Sequence, residues 1–223
     1  MGSKNKLKRF RENETFANVI QPERSEVLNN YPLKGNWHKQ FNNNNPIILE
    51  LGCGKGEYTI ALAKKNPNIN YIGIDIKGAR FWRGAKTALE ENLTNVLFIR
   101  TQIELVDCIF EKNEIDEIWI TFPDPQIKYT RTKHRMTNTE FLKKYHTILK
   151  PEGVVHLKTD SEFMHGYTLG LLHGEGHNVL YAHHNIYNNP HAPKDVTSTQ
   201  TFYESGYLEQ NKPITYIKFQ LQY

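Results

Sequence analysis

The chain is poor in cysteine: Cys53 and Cys108 are the only two among 223 residues. They form no Cys-x-x-Cys pair and no metal-type spacing, which argues against a disulfide-stapled scaffold and against a zinc module. Long apolar runs are also missing, and nothing approaches the roughly 18 residues of a membrane-span candidate. The N-terminus carries charge without an apolar h-region, so no secretory signal and a cytoplasmic location are expected. The ten histidines offer no convergent ligand set. His183 and His184 are adjacent, and Gly174 and Gly176 spoil the helix that would align His173 with His177. No metal is expected.

What is present fits a soluble globular chain. Hydrophobic residues make up 38% and charged residues 23%, and the length suits one well-cored domain with short additions. The net charge of +4 decides little by itself. Its distribution says more. Lys4, Lys6, Lys8, Arg9 and Arg11 crowd the first stretch, and Lys128, Arg131, Lys133, His134 and Arg135 crowd a second. With no membrane signal, two basic clusters point to a phosphate-rich partner, the bland alternative being a solvated tail and a solvated loop.

Residues 1–35 lack a clear period and are expected to be a basic arm, partly disordered, with a short helix near Glu23–Asn30. From Ile47 the pattern sharpens. Strands are expected at 47–51, 71–75, 96–99, 117–122 and 154–159, with helices between them at about 57–65, 78–91, 103–111 and 137–149. A helix over about 161–173, a strand near 178–184, a polar loop at 185–200 and a last strand at 215–221 complete a domain over 36–223. Such alternation means right-handed βαβ units, so the expected fold class is α/β, a mostly parallel seven-stranded sheet with helices on both faces. Sheets of this kind bind ligands at the C-terminal ends of their strands. Trp82 and Trp119 fall on helix and strand patterns as core residues, while Trp37 is placed to anchor the arm.

The first strand runs into Glu50-Leu51-Gly52-Cys53-Gly54-Lys55-Gly56. Glycines there let the backbone turn tightly and approach a ligand. A dinucleotide fingerprint would place its third glycine where Glu57 stands. The G-x-G-x-G spacing with an acid just ahead resembles class I methyltransferases, which bind S-adenosyl-L-methionine and release S-adenosyl-L-homocysteine. Glu50 suits the ammonium end of that cofactor. Asp75, at the end of the second strand, suits ribose hydroxyls, and Gln102, after the third, could meet the adenine.

Thr121-Phe122-Pro123-Asp124-Pro125-Gln126-Ile127-Lys128 follows the fourth strand, and two prolines stiffen the loop around Asp124. This stretch and its basic continuation resemble the bacterial tRNA (guanine-N7)-methyltransferases, with their Phe-x-Asp-Pro-Trp-Pro-Lys loop. His156-Leu157-Lys158-Thr159-Asp160, Thr201-Phe202-Tyr203-Glu204 and Lys212-Pro213-Ile214 resemble three further motifs of that family, in order, over about residues 47–220. Gln126-Ile127 departs from the family's Trp-Pro and removes an aromatic platform, and Gln102 is neutral where the family often has an acid.

The resemblance implies a Rossmann-like class I methyltransferase fold and transfer of a methyl group to guanosine N7 in the tRNA variable loop. It implies Glu50, Gly52, Gly54, Asp75, Gln102 and Asp124 at the cofactor and Asp124 as the catalytic residue. Lys128, Asp160, Thr201, Phe202, Tyr203 and Glu204 would hold the nucleotide, and Arg131, Lys133, His134 and Arg135 the RNA backbone. Guanine N7 has a lone pair and no proton to lose, so no general base is needed. Carboxylates at Asp124 and Asp160 could accept from guanine N1–H and the N2 amino group and offset the charge growing on the ring. A methyltransferase of the same fold acting on another RNA or a small molecule would explain the glycine turn but not the basic loop. A non-catalytic RNA-binding subunit would not need Glu50, Gly52, Gly54 and Asp75. No membrane or DNA partner is expected, and monomer and homodimer stay open.

Overall fold

Alternating strands and helices occupy residues 3–223, which the computed structural model describes; Met1, Gly2 and the side chains of Ser3 and Lys4, part of the expected basic arm, lie outside the described residues. The chain opens with α1 (Ser3–Asn13), β1 (Val19–Ile20), α2 (Arg24–Leu28) and α3 (Trp37–Phe41). The alternating part follows as β2 (Ile47–Leu51), α4 (Glu57–Lys65), β3 (Asn70–Ile74), α5 (Gly78–Glu90), β4 (Val96–Ile99), α6 (Val106–Ile109) and β5 (Ile115–Thr121). It continues with α7 (Thr139–Ile148), β6 (Leu149–Thr159), α8 (Glu162–Gly174), β7 (Asn178–His183), α9 (Lys194–Thr197), α10 (Phe202–Glu209) and β8 (Thr215–Gln220).

The strands form one sheet in the order β1-β4-β3-β2-β5-β6-β8-β7. All pairs from β1 to β6 are parallel, and β8 is antiparallel to both β6 and β7. The sheet therefore has eight strands among the described residues rather than seven. The extra one, β1, is too short and too little patterned to stand out in the sequence. Every residue of β2, β3 and β4 is buried, as strands covered on both faces must be. One layer of the core joins Trp37, Phe41, Leu142, Tyr145 and Leu172 to one face of the sheet. The other joins Tyr58, Phe81, Ala85, Val196 and Tyr216 to the opposite face. Sequence order reverses between β2 and β5, so the crevice of this sheet opens above those two strands.

Side chains set the helix starts. Asn138 accepts from the Phe141 amide at 3.0 Å and Ser161 from the Met164 amide at 3.2 Å, each relieving an orphan donor of the first turn. Several elements differ from expectation. The expected helix at 103–111 is a 3-10 turn followed by the one-turn α6. β6 begins at Leu149 because its edge can pair with β5 before Pro151. The polar stretch 185–200 contains α9.

The described part of the arm packs against the domain. Asn13 donates to the Gly78 carbonyl at 2.9 Å, and Trp82 donates to Glu12 at 2.6 Å while Arg9 lies 4.8 Å above its ring. Trp82, expected in the core, is thus half-buried and grips α1. Trp37, expected to hold the arm, is fully buried in the main core and donates to the Ile109 carbonyl at 3.2 Å.

Candidate active site

Above the switch point lies a cleft of about 80 Å³. Its walls bring together residues from distant parts of the chain: Glu50 near the end of β2 with Gly52 and Gly54 just after it, Thr121 at the end of β5 with Phe122 after it, and Thr201 and Tyr203 at the start of α10, with Arg80 of α5.

The turn after β2 works because Gly52, Gly54 and Gly56 all have positive φ, a region costly for residues with a Cβ. Gly56 has a second reason. A Cβ there would sit 2.6 Å from the Phe98 ring, so the turn can settle onto β4 only without one.

Glu50 points inward. It accepts from the Thr59 amide at 2.8 Å, from the Thr59 hydroxyl, and from the Thr121 hydroxyl at 2.6 Å. Burial pushes its carboxyl up from an ordinary 4.5 to about 7, against the pull of those donors. Asp75 accepts from the Gly54 amide at 3.0 Å through one oxygen and from the Lys77 amide at 2.7 Å through the other. That fixes its carboxylate against the turn and leaves lone pairs for a hydroxylated ligand. Gln102 is exposed after β4, and its side-chain oxygen accepts from Arg24 of α2.

The loop after β5 is strained. Phe122 and Gln126, on either side of Asp124, have φ of +49° and +47°, a left-handed conformation worth about 1–3 kcal/mol for such residues. The Phe122 amide donates to the Lys158 carbonyl at 2.8 Å and anchors the near end. Arg135 anchors the far end, donating to the carbonyls of Gln126 at 3.1 Å and Ile127 at 3.2 Å. Its guanidinium lies over Tyr167 and Phe163 of α8, at 4.4 and 4.9 Å. Asp124 itself is exposed and, among the described residues, accepts only the Gln126 amide, at 3.2 Å. Arg135, expected at the RNA backbone, is 6% exposed and is instead the tie of this loop. Lys128, Arg131 and Lys133 are exposed and His134 is half-buried.

The Thr-Phe-Tyr-Glu stretch divides in two. Thr201 caps α10 by accepting the Glu204 amide at 3.2 Å, and Glu204 accepts the Thr201 amide at 3.2 Å in return, a capping box. Glu204 also meets Lys158 at 2.6 Å and Tyr187 at 2.7 Å, with both members of the ion pair at 0% exposure. Its carboxylate is directed into the protein rather than toward a nucleotide. Phe202 and Tyr203 stay exposed, with the Lys55 ammonium 3.8 Å from the Phe202 ring. Asp160, half-buried after β6, faces Tyr207, whose ring lies 6.1 Å from that of Phe122. The ends of β5 and β6 and helix α10 therefore meet.

Sequence reasoning missed Lys158, although a cation inside the buried-strand pattern 154–159, beside Val154, Val155 and Leu157, signals a buried partner. It also missed Thr59 and Thr121, ordinary residues whose role depends on facing Glu50.

The sheet order, the turn after β2 and the two acids beside it define a class I, Rossmann-like methyltransferase fold. Solved structures agree at the level of fold. The 16S rRNA methyltransferase KamB superposes with a TM-score of 0.64 at 12% identity, covering 85% of this chain and 94% of that one. An antibiotic-related methyltransferase gives 0.61 at 18%, covering 85% and 94%. Residues 44–217 match the family model described as a putative methyltransferase. A tRNA (guanine-N(7)-)-methyltransferase of Christiangramia forsetii is 70% identical over 100% of both chains. Its counterpart in Porphyromonas gingivalis is 45% identical over 93% of this chain and 86% of its own. The chain belongs to the tRNA (guanine-N(7)-)-methyltransferase family.

Proposed function

We propose that this protein transfers a methyl group from S-adenosyl-L-methionine to N7 of a guanosine in tRNA, in the variable loop. The observation that carries the reading is the single cleft in which the glycine turn, the end of β5 and the start of α10 meet, in a chain 70% identical to a relative named for that reaction.

The residues present fit the cofactor. The positive-φ turn offers backbone without Cβ atoms, Glu50 offers a carboxyl to an ammonium, and Asp75 offers fixed acceptors to hydroxyls. S-adenosyl-L-methionine supplies, when bound, a methyl group on a sulfonium that needs no further activation. The protein's own task is to hold the guanine in line and to offset the positive charge that grows on it. Asp124 is assigned the catalytic role and Asp160 the guanine edge, with Gly52, Gly54, Glu50, Asp75 and Gln102 at the cofactor. Lys128 and the exposed Phe202 and Tyr203 face the nucleotide. Thr201 and Glu204 act through α10, which they hold in place. Arg131, Lys133 and His134 meet phosphates. A basic arm over 1–35 precedes the methyltransferase domain over 36–223, and the location is cytoplasmic; among the described residues no helix is long and apolar enough to cross a membrane.

The test is incubation of the protein with labelled S-adenosyl-L-methionine and unmodified tRNA, then aniline cleavage to locate the methylated guanosine. Label entering another substrate but not tRNA would overturn the reading.

A further inference from the structure

The loop beyond Asp124 presents a tyrosine for which the fold has no use. Tyr129 is 90% exposed, more than any other large hydrophobic side chain among the described residues, and Ile127 beside it is 64% exposed. Among the described residues the Tyr129 side chain makes no hydrogen bond and no ring contact. Its backbone, by contrast, is tightly held. The Thr132 hydroxyl donates to the Tyr129 carbonyl at 2.7 Å, the Arg131 amide donates to the Lys128 carbonyl at 2.9 Å, and Asn138 donates to the Thr132 carbonyl at 3.2 Å. Arg135 fixes the preceding carbonyls of Gln126 and Ile127 from beneath. The ring therefore projects from a held backbone, with exposed Lys128, Arg131 and Lys133 as near neighbours along the chain, the Arg131 Nε donating to the Gln126 side-chain oxygen at 3.0 Å.

A fixed aromatic face on a loop that also carries cations is an arrangement that binds nucleic acid strands. The cations attract the phosphates, and the ring stacks on a base whatever its identity. Tyrosine suits this because little side-chain freedom is lost when it is covered. Gln126 and Ile127, the other residues at the tip, have no ring to stack.

We infer that Tyr129 is a stacking platform for an unpaired base of the RNA substrate, adding an uncharged contact to the cationic ones of the same loop. The inference rests on the tRNA reading above and assigns a positioning residue to it.

The test titrates unmodified tRNA directly against the wild-type protein, Tyr129→Ala, Tyr129→Phe and Tyr129→Trp across a range of salt. Tyr129→Ala is expected to weaken binding by roughly 5- to 100-fold, the scale of one stacked base. Its slope of log affinity against log salt should stay unchanged, because every cation that meets a phosphate is still in place. Tyr129→Phe and Tyr129→Trp should bind like wild type, and the melting temperature of all four proteins should coincide. Wild-type affinity in Tyr129→Ala overturns the inference, as does failure of Tyr129→Phe to restore binding, which would assign the effect to the hydroxyl. A methylation assay on the wild-type protein runs alongside. If it transfers no methyl group to tRNA, the tRNA reading fails, while the binding comparison still decides the role of Tyr129.

Discussion

At the scale of single residues, the acids assigned to the site differ in what surrounds them, and this separates their expected roles. Asp124 is exposed and bound by one amide, so its removal should leave the fold intact. Asp124→Ala is expected to keep its melting temperature and lose about 10²–10³-fold in kcat, the usual effect of deleting a group that stabilises developing charge. Near wild-type turnover would remove Asp124 from the chemistry. Glu50 is the opposite case, held by three donors and raised by burial to about 7. Its folded value lies above its unfolded one. The native chain therefore binds more protons between the two, and the Glu50 contribution to stability falls as pH rises from 4.5 to about 7. A bound ammonium reverses the preference, because it favours the carboxylate. Cofactor affinity should fall by up to about tenfold per pH unit below 7. Calorimetric titration should record uptake of a proton by the buffer on binding near neutrality. In Glu50→Gln, which cannot ionise, the pH dependence should disappear.

At the scale of elements, the C-terminal half of the site is held by packing that the cleft does not display. Lys158 lies on β6 and Glu204 on α10, so their ion pair fastens the helix carrying Phe202 and Tyr203 to the strand that leads to Asp160. The Lys158 ammonium also donates to the carbonyls of Val196 at 2.6 Å and Thr199 at 3.0 Å, bringing α9 and the following turn into the same cluster. Burial lowers the Lys158 pKa, and the charge of Glu204 works against that shift. Glu204→Gln leaves a buried cation without its counter-charge, which costs about 3–5 kcal/mol. For a chain of this size that is a fall on the order of 10 °C in melting temperature, read by calorimetry. An unchanged melting temperature would mean that α10 is not held in this way. Arg135 makes the same point in the loop after β5. In the sequence it is one of five basic residues close together, but its tie to Gln126 and Ile127 depends on Phe163 and Tyr167 of α8 to receive it.

At the scale of the whole molecule, net charge of +4 understates the electrostatics. Lys144 is paired with Asp107 and Lys150 with Asp116, away from the cleft, whereas Lys128, Arg131 and Lys133 stand exposed beside it. Replacing Arg131 and Lys133 together by alanine should weaken tRNA binding and reduce its salt slope by roughly 1–2, about one unit for each phosphate no longer neutralised. An unchanged slope would mean that this loop meets no phosphate. Arg135 does not belong in that variant, since its removal would release the loop as well as a charge.

The alternation of strands and helices from Ile47 onward was readable because an apolar run of five residues between glycine and polar breaks has few other solutions. The glycine turn, Asp75 and the Phe-Pro-Asp-Pro loop were readable because chemistry and backbone geometry restrict those positions locally. The short strand β1, the helix α1 on Trp82, and the inward direction of Arg135, Lys158 and Glu204 were not. Whether a charged side chain meets solvent or the interior depends on which distant elements lie across from it, and the pairing of β6 with β8 and the docking of α10 decide that. The sequence alone thus determined the type of sheet, the turn and the family. Only the tertiary structure decided which cations face solvent and which hold the protein together, because burial belongs to the assembled neighbours and not to the residue.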